Sequence, residues 1–274
     1  MPVTLGPILN HLPAWLLVLF RITGIFVIGP VFGSRVIPMR IKALLAFGLS
    51  LCVYPMLLDP SRPSAQWVGQ FVLPHPAADL SQLSLFSIGA TVFMELMVGA
   101  VIGFGAILPI IGMQIGGRIA SQQVGLGLAE LFAPNVEESG ILSQAMFMLA
   151  IMIFLILGGH RVMMQTLLAT FDRVPLGGLN FQGSIVDLMV ALLGSMFELA
   201  LRVAAPLLCL IFLQTIALGF IARTVPQMNI LTIGFPLRIL IGMSILIASV
   251  SVLDDVFITQ MRKALAMIAS VFGA

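Results

Sequence analysis

The sequence predicts an all-α, polytopic membrane protein of about six long apolar helical segments, some kinked or broken, built into a larger helical complex. Three observations predict it. Of 274 residues, 60% are hydrophobic and only 9% charged, with a mean hydropathy of +1.15. A soluble domain carries about 25% charged residues, so this chain lacks the side chains to cover a globule, and its solvent is lipid or apolar protein. Uncharged stretches such as Leu96–Gly117, Ser139–His160 and Val203–Ala222 then recur at the length of a bilayer crossing, about 20 residues. Backbone groups in hydrocarbon must be satisfied internally, which leaves helices or a closed barrel. The short alternating segments of a barrel are absent.

Taken in order, the apolar segments are Leu12–Val31, Ile41–Leu58, Leu85–Ile110, Ile141–Leu157, Ile185–Leu218 and Ile230–Leu253. Before Arg21 there is no basic leader region and no small-residue cleavage site, so the first segment is expected to be a retained span. Asp59–Leu80 carries Pro60, Pro63, Pro74 and Pro76 around a polar middle, the composition of an exposed loop. The fifth segment is too long for one upright crossing and contains Pro206, which predicts a tilted or broken helix. Beyond Leu253, Arg262 and Lys263 stand beside Val256, Phe257, Leu265 and Ile268. That pattern predicts an amphipathic helix over 254–274, outside the core. No charged or Ser-rich linker divides the chain, which is expected to form a single domain over 1–274.

Gly116–Ser139 has a different character. Gly116, Gly117, Gly125 and Gly127 alternate with Val124, Leu126, Leu128, Leu131 and Phe132. The stretch is too apolar for a solvated loop and too glycine-rich for a rigid helix, so a neighbour is expected to pack on it.

Orientation is undecided at this level. If six spans alternate, Arg35, Arg40, Lys42, Arg118 and Arg223 fall on one side, and Arg62, Arg161, Arg173, Arg262 and Lys263 on the other. The positive-inside rule gives no preference, which suggests that some apolar helices bury against partner subunits.

Polar residues inside spans are costly and mark structure or function. Glu198 and Arg202 are four apart on one helix face and predict a buried ion pair. Its alternatives are a structural pair that fixes helix register and the coupling pair of a proton- or ion-driven transporter. Arg21, Glu95 and Arg238 sit singly in other spans, free to pair between helices or to meet partners. Gly99 and Gly103, like Gly112 and Gly116, have the spacing that lets helix backbones approach.

Catalytic patterns are missing. There is no phosphate loop, zinc helix or complete dinucleotide fingerprint, and no nucleophile elbow. His11, His75 and His160 are isolated, and Asp187 has no evident partner for intramembrane proteolysis. Cys52 and Cys209 lie far apart in apolar runs and act as small hydrophobes. The net charge of +2 is scattered, which argues against nucleic acid as a partner. No enzyme, cofactor or metal is expected.

Several stretches together resemble the FliR family of the flagellar protein-export gate. They are Phe20-Arg21-Ile22-Thr23-Gly24 running into Pro30-Val31-Phe32-Gly33, with Ile37-Pro38 and Lys42 following; Glu95 with Gly99 and Gly103; and the stretch ending Phe132-Ala133-Pro134-Asn135. The most specific is Ala222-Arg223-Thr224-Val225-Pro226-Gln227-Met228-Asn229 with Gly234-Phe235-Pro236-Leu237-Arg238 after it. The resemblance covers nearly the whole chain. It implies a structural, non-enzymatic subunit of the flagellar type III export gate, in the bacterial inner membrane at the basal body. FliP-like and FliQ-like subunits, FlhA-like and FlhB-like components, unfolded exported proteins and membrane lipid would be its partners. The resemblance also implies a plug loop formed by Gly116, Gly117, Val124, Gly125, Leu126, Gly127, Leu128, Leu131 and Phe132. The Pro226-Gln227-Met228-Asn229 motif is expected to break the helical path, because Pro226 lacks a donor and biases Val225 to extended backbone. The equivalent subunit of a virulence injectisome is the neighbouring reading, and a secondary transporter, which would need an inverted repeat, is the reading from another class.

Overall fold

The computed structural model describes residues 6–34, 36–72, 85–125, 140–178, 183–224 and 230–272. Among them the secondary structure is helical: α1 (Gly6–Ile28), α2 (Met39–Leu57), α3 (Ser64–Gln70), α4 (Leu85–Val124), α5 (Ile141–Ile156), α6 (Gly159–Arg173), α7 (Gly183–Thr224) and α8 (Ile230–Phe272). Four of these helices are long and apolar enough to cross a membrane. The number rises to six when α5 with α6, and the two arms of α8, each count as one bent span. This is an all-α polytopic membrane protein.

Helix bounds follow the local punctuation. α2 opens directly after Pro38, held at φ −55° and ψ 140°, an extended conformation outside the helical region. α5 opens after Gly140 and gives way at Gly158, whose φ of +68° is left-handed backbone that favours glycine. The chain then turns by 62° into α6, a helix that the apolar runs did not foretell. The 59–80 connection likewise contains the short helix α3, which polar composition concealed. Just before it, the Asp59 carboxylate accepts bonds from the Ser61 amide (3.0 Å) and hydroxyl (2.9 Å), and the amide bond leads in holding its pKa below the usual value.

Three expectations about element ends are corrected. α4 continues to Val124 rather than stopping near Ile110, so Gly116, Gly117 and Arg118 are helical. That placement of Arg118 also explains part of the failed charge count, which assigned it to a connection. α7 runs unbroken through Pro206: the proline forfeits one backbone bond, but Val203, Ala204 and Leu207 on either side of it are buried. The tail is helical as expected, but it forms the second arm of α8, which reaches Phe272 after a 55° bend between Ser249 and Val252, and it is packed rather than outside the core. Its apolar positions Phe257, Met261, Ala264, Leu265 and Ile268 are buried, at helical spacing, while Arg262 and Lys263 stay exposed.

The chain groups into two compact units. One comprises Met1–Ile107, Gly158–Val190 and Leu265–Ala274; the other comprises Leu108–Leu157 and Ala191–Ala264. In the first unit α1 packs along α2, with Trp15 and Phe47 edge to face at 5.3 Å. Its interior includes Ile22, Ile25, Ile102, Met163 and Phe171. The second unit is centred on Ala120, Val124, Leu207, Ile211 and Leu246, with Leu142, Ile239 and Ile245 around them.

Length sets α4 and α7 apart from ordinary spans. Their apolar stretches of 37 and 40 residues correspond to about 55–60 Å of helix at 1.5 Å per residue. A hydrocarbon core is about 30 Å thick.

Candidate functional site

The first unit holds a buried charged centre. Arg21 lies in the last third of α1 and Glu95 in the first third of α4, 0% and 1% exposed. They meet because glycines let the two helices touch. A Cβ at Gly99 would collide with the Arg21 carbonyl oxygen and lie 3.0 Å from the Cα of Gly24. One turn on, a Cβ at Gly103 would lie 2.9 Å from the Gly29 nitrogen. Small residues on both helices thus bring the backbones together and carry the two long side chains into reach.

The pair is bidentate. Arg21 Nε donates to Glu95 Oε2 at 2.5 Å and Nη2 to Oε1 at 3.0 Å. The outer edge of the guanidinium faces the end of α6, where Nη1 donates to the carbonyls of Thr170 and Val174, both at 3.2 Å. Nη2 also reaches the carbonyls of Val174 (3.3 Å) and Pro175 (3.5 Å). Phe171 lies under the cation, its ring centroid 4.6 Å from Cζ. Glu95 Oε1 in turn accepts the Gly177 amide at 2.7 Å, and Gly177 has a φ of +71°.

Chemically, this arrangement is a staple. The C-terminal end of a helix carries the negative end of its dipole, which favours a cation there; Arg21 shares the Thr170 carbonyl with the Val174 amide and takes the Val174 and Pro175 carbonyls just beyond α6. The five N–H donors of arginine all find acceptors, leaving none to hold a ligand. Three chain segments distant in sequence are fixed to one another by one side-chain pair.

Of the charges singled out in the sequence, the structure thus joins Arg21 to Glu95, and it places Gly99 and Gly103 on the same helix contact. Thr170, Phe171, Val174, Pro175 and Gly177 complete the centre and were missed. Only the Pro175-Leu176-Gly177-Gly178 turn hinted at them, because carbonyl acceptors leave no mark on side-chain pattern.

Glu198 and Arg202 do pair along α7 at 2.6 Å, with Gln260 Nε2 at 3.4 Å from the second Glu198 oxygen. The expectation that the chain buries them is corrected: they are 44% and 59% exposed. One helix face can bring the partners together, but no described element of this chain buries them. Arg238 donates to the Thr215 hydroxyl at 3.2 Å.

The plug assignment is corrected at three positions. Gly116 and Gly117 are neither loop nor free hinges: a Cβ at either would lie 2.7 Å from Val203 or Met146 respectively, so both are packing contacts inside α4. Val124 is fully buried in the core of the second unit. Gly125 ends α4 at φ +91°. Leu126, Gly127, Leu128, Leu131 and Phe132 lie outside the described residues, as do Pro226, Gln227, Met228 and Asn229.

Among the described residues no group of His, Cys, Asp or Glu side chains is placed to hold a metal ion. Fold and site together define a class: a polytopic helical membrane protein stapled by a buried ion pair, with charged and apolar surface left open on its longest helices. Residues 12–264 match the bacterial export proteins, family 1, and the chain belongs to that family. It is 28% identical to the flagellar biosynthetic protein FliR of Bacillus subtilis (strain 168), over 96% of this chain and 99% of that one. The FliR of Escherichia coli (strain K12) is 28% identical over 84% of this chain and 81% of its own length. That of Aquifex aeolicus (strain VF5) is 29% identical over 85% and 84%.

Proposed function

We propose that this chain is a structural, non-catalytic subunit of a flagellar type III protein-export gate. It forms part of the conduit that passes unfolded flagellar proteins across the inner membrane at the basal body. FliP-like and FliQ-like subunits share the gate with it, and FlhA-like and FlhB-like components stand nearby. Family membership and the flagellar names of its relatives support the system.

The observation that carries the structural part is the Glu198–Arg202 pair. An ion pair open to its surroundings in the middle of a 40-residue apolar helix is badly suited to lipid. It is well suited to a protein neighbour. The lengths of α4 and α7, about twice the hydrocarbon thickness, agree: such helices belong to an assembly rather than to a free six-span bundle.

Within the gate, the segment after α4 acts as the plug. A conduit must exclude water and ions when idle, which calls for apolar side chains on a backbone able to move aside. Leu126, Leu128, Leu131 and Phe132 supply the apolar groups, with Gly125 before them and Gly127 among them.

The test is export itself. A flagellated strain lacking this gene should release no hook or filament protein into the medium, and a plasmid copy should restore release. Undiminished release from the deletion strain would exclude the reading.

A further inference from the structure

Arg238 stands on the first arm of α8, one of the two arms that together form a bent span. It is only partly buried. Of its five N–H donors, one reaches the Thr215 hydroxyl of α7; among the described residues no carboxylate lies within salt-bridge distance. Around it the surface is apolar and open: Phe212, Leu213 and Ile216 on α7, with Phe235, Leu237 and Leu240 on α8, are exposed. Beside Thr215, the Gln214 amide is 8% exposed, and neither of its polar atoms finds a hydrogen-bond partner among the described residues. The second unit therefore presents an apolar face that carries a cation uncompensated among the described residues.

We propose that this face docks a membrane helix of another gate subunit, and that an acidic side chain on that helix pairs with Arg238. The proposal rests on the export-gate reading above and specifies one interface within it. Charge complementarity selects the occupant. Lipid tails cover the apolar residues but leave a guanidinium unpaired in hydrocarbon, which is costly. A carboxylate accepts two parallel N–H bonds from arginine in a fork geometry, and small polar side chains such as Thr215 steady the approach.

The second unit of another copy of this chain offers no described acid that fits. The described carboxylates of the second unit are Glu198, Asp254 and Asp255. Glu198 lies 17 residues before Thr215, and Asp254 lies 16 residues beyond Arg238, about 24–26 Å of helical path in each case. Copies inserted the same way around a common axis keep equivalent residues at equal depth, so neither acid reaches Arg238 of a neighbour. Among the described carboxylates of the second unit, then, none serves, and the acid is assigned to a different chain.

The test uses the full chain, affinity-tagged and co-expressed with the other membrane subunits of its gate. The readout is the amount of each subunit recovered per tagged chain in mild detergent. Arg238→Glu should lower recovery of one subunit by about tenfold or more, as expected for losing one member of a desolvated charge pair. Arg238→Leu, which inserts more readily than the parent residue, should also lose that subunit while its own membrane level holds. Changing the Asp and Glu residues in that subunit's spans to Arg, one at a time, should find a position that restores recovery with Arg238→Glu. Equal recovery from unmodified and variant chains would overturn this inference alone. So would loss of co-purified anionic phospholipid with the subunits retained, which would make a phosphate headgroup the occupant. If no reversal restores recovery, the pairing is also wrong. An unmodified chain that recovers no subunit would overturn the export-gate reading and this inference together.

Discussion

Arg21 of α1 and Glu95 of α4, 74 residues apart, clasp one another through two charge-assisted hydrogen bonds while the same guanidinium caps the end of α6. Removing one member leaves the other buried and uncompensated, which costs about 3–5 kcal/mol. Replacing both by apolar residues of similar size removes the demand altogether. Glu95→Ala should therefore lower the thermal stability of the detergent-purified chain sharply, whereas Arg21→Met with Glu95→Met should recover much of the loss. A double variant as unstable as the two single losses added would disprove the coupling.

The close crossing of α1 and α4 makes a second prediction. Gly99→Val places a side chain on the Arg21 carbonyl, so the helices must separate and the bonds to Glu95 lengthen. Loss of several kcal/mol is expected, on the scale of severe overpacking. Gly48→Ala in α2 is the control, since a Cβ there meets nothing within 4 Å; it should be neutral or stabilising by up to about 1 kcal/mol. Equal melting temperatures for the two variants would exclude a tight crossing.

The Glu198–Arg202 pair separates chain stability from assembly. In the chain alone the pair is about half exposed, and such pairs contribute about 0–1 kcal/mol. Glu198→Ala should barely move the melting temperature of the isolated chain yet impair assembly with partners, because Arg202 enters the interface unpaired. Glu198→Ala with Arg202→Ala should assemble better than the single change. The comparison is made by recovery of partner subunits, and a double variant as harmful as both singles together would remove the pair from the interface.

Much of the fold was legible because lipid imposes a simple rule on sequence. α2 and α5 fall within two residues of the apolar segments that predicted them, since Pro38, Gly140 and Gly158 mark their ends. The rule failed where packing overrode composition. Gly116 and Gly117 suggested an end to α4, yet each lies against a side chain of α7 or α5, as does Gly112, and contact outweighs the entropic cost of glycine in a helix. Arg21 and Glu95 were visible as isolated charges, but their pairing depends on a helix crossing that no local pattern encodes. The exposure of Glu198 and Arg202 was illegible for another reason: one chain's sequence shows that a charge sits in a span, not which chain covers it.

The plug makes its own prediction. Leu126→Asn with Leu128→Asn admits water to the idle conduit without touching α4, whose last core residue is Val124. Cells with a correctly assembled variant gate should leak ions, seen as a lowered membrane potential or raised uptake of a small dye. Normal conductance would exclude these residues from the seal.

The most direct test of the account is purification of the tagged full-length chain from its own membranes in mild detergent, followed by identification of what remains bound and the mass of the particle. Membership of an export gate predicts one large, stable particle containing this chain together with two other small polytopic membrane subunits, at fixed proportions. A monodisperse particle holding this chain alone, stable and able to bind a small solute, would contradict it.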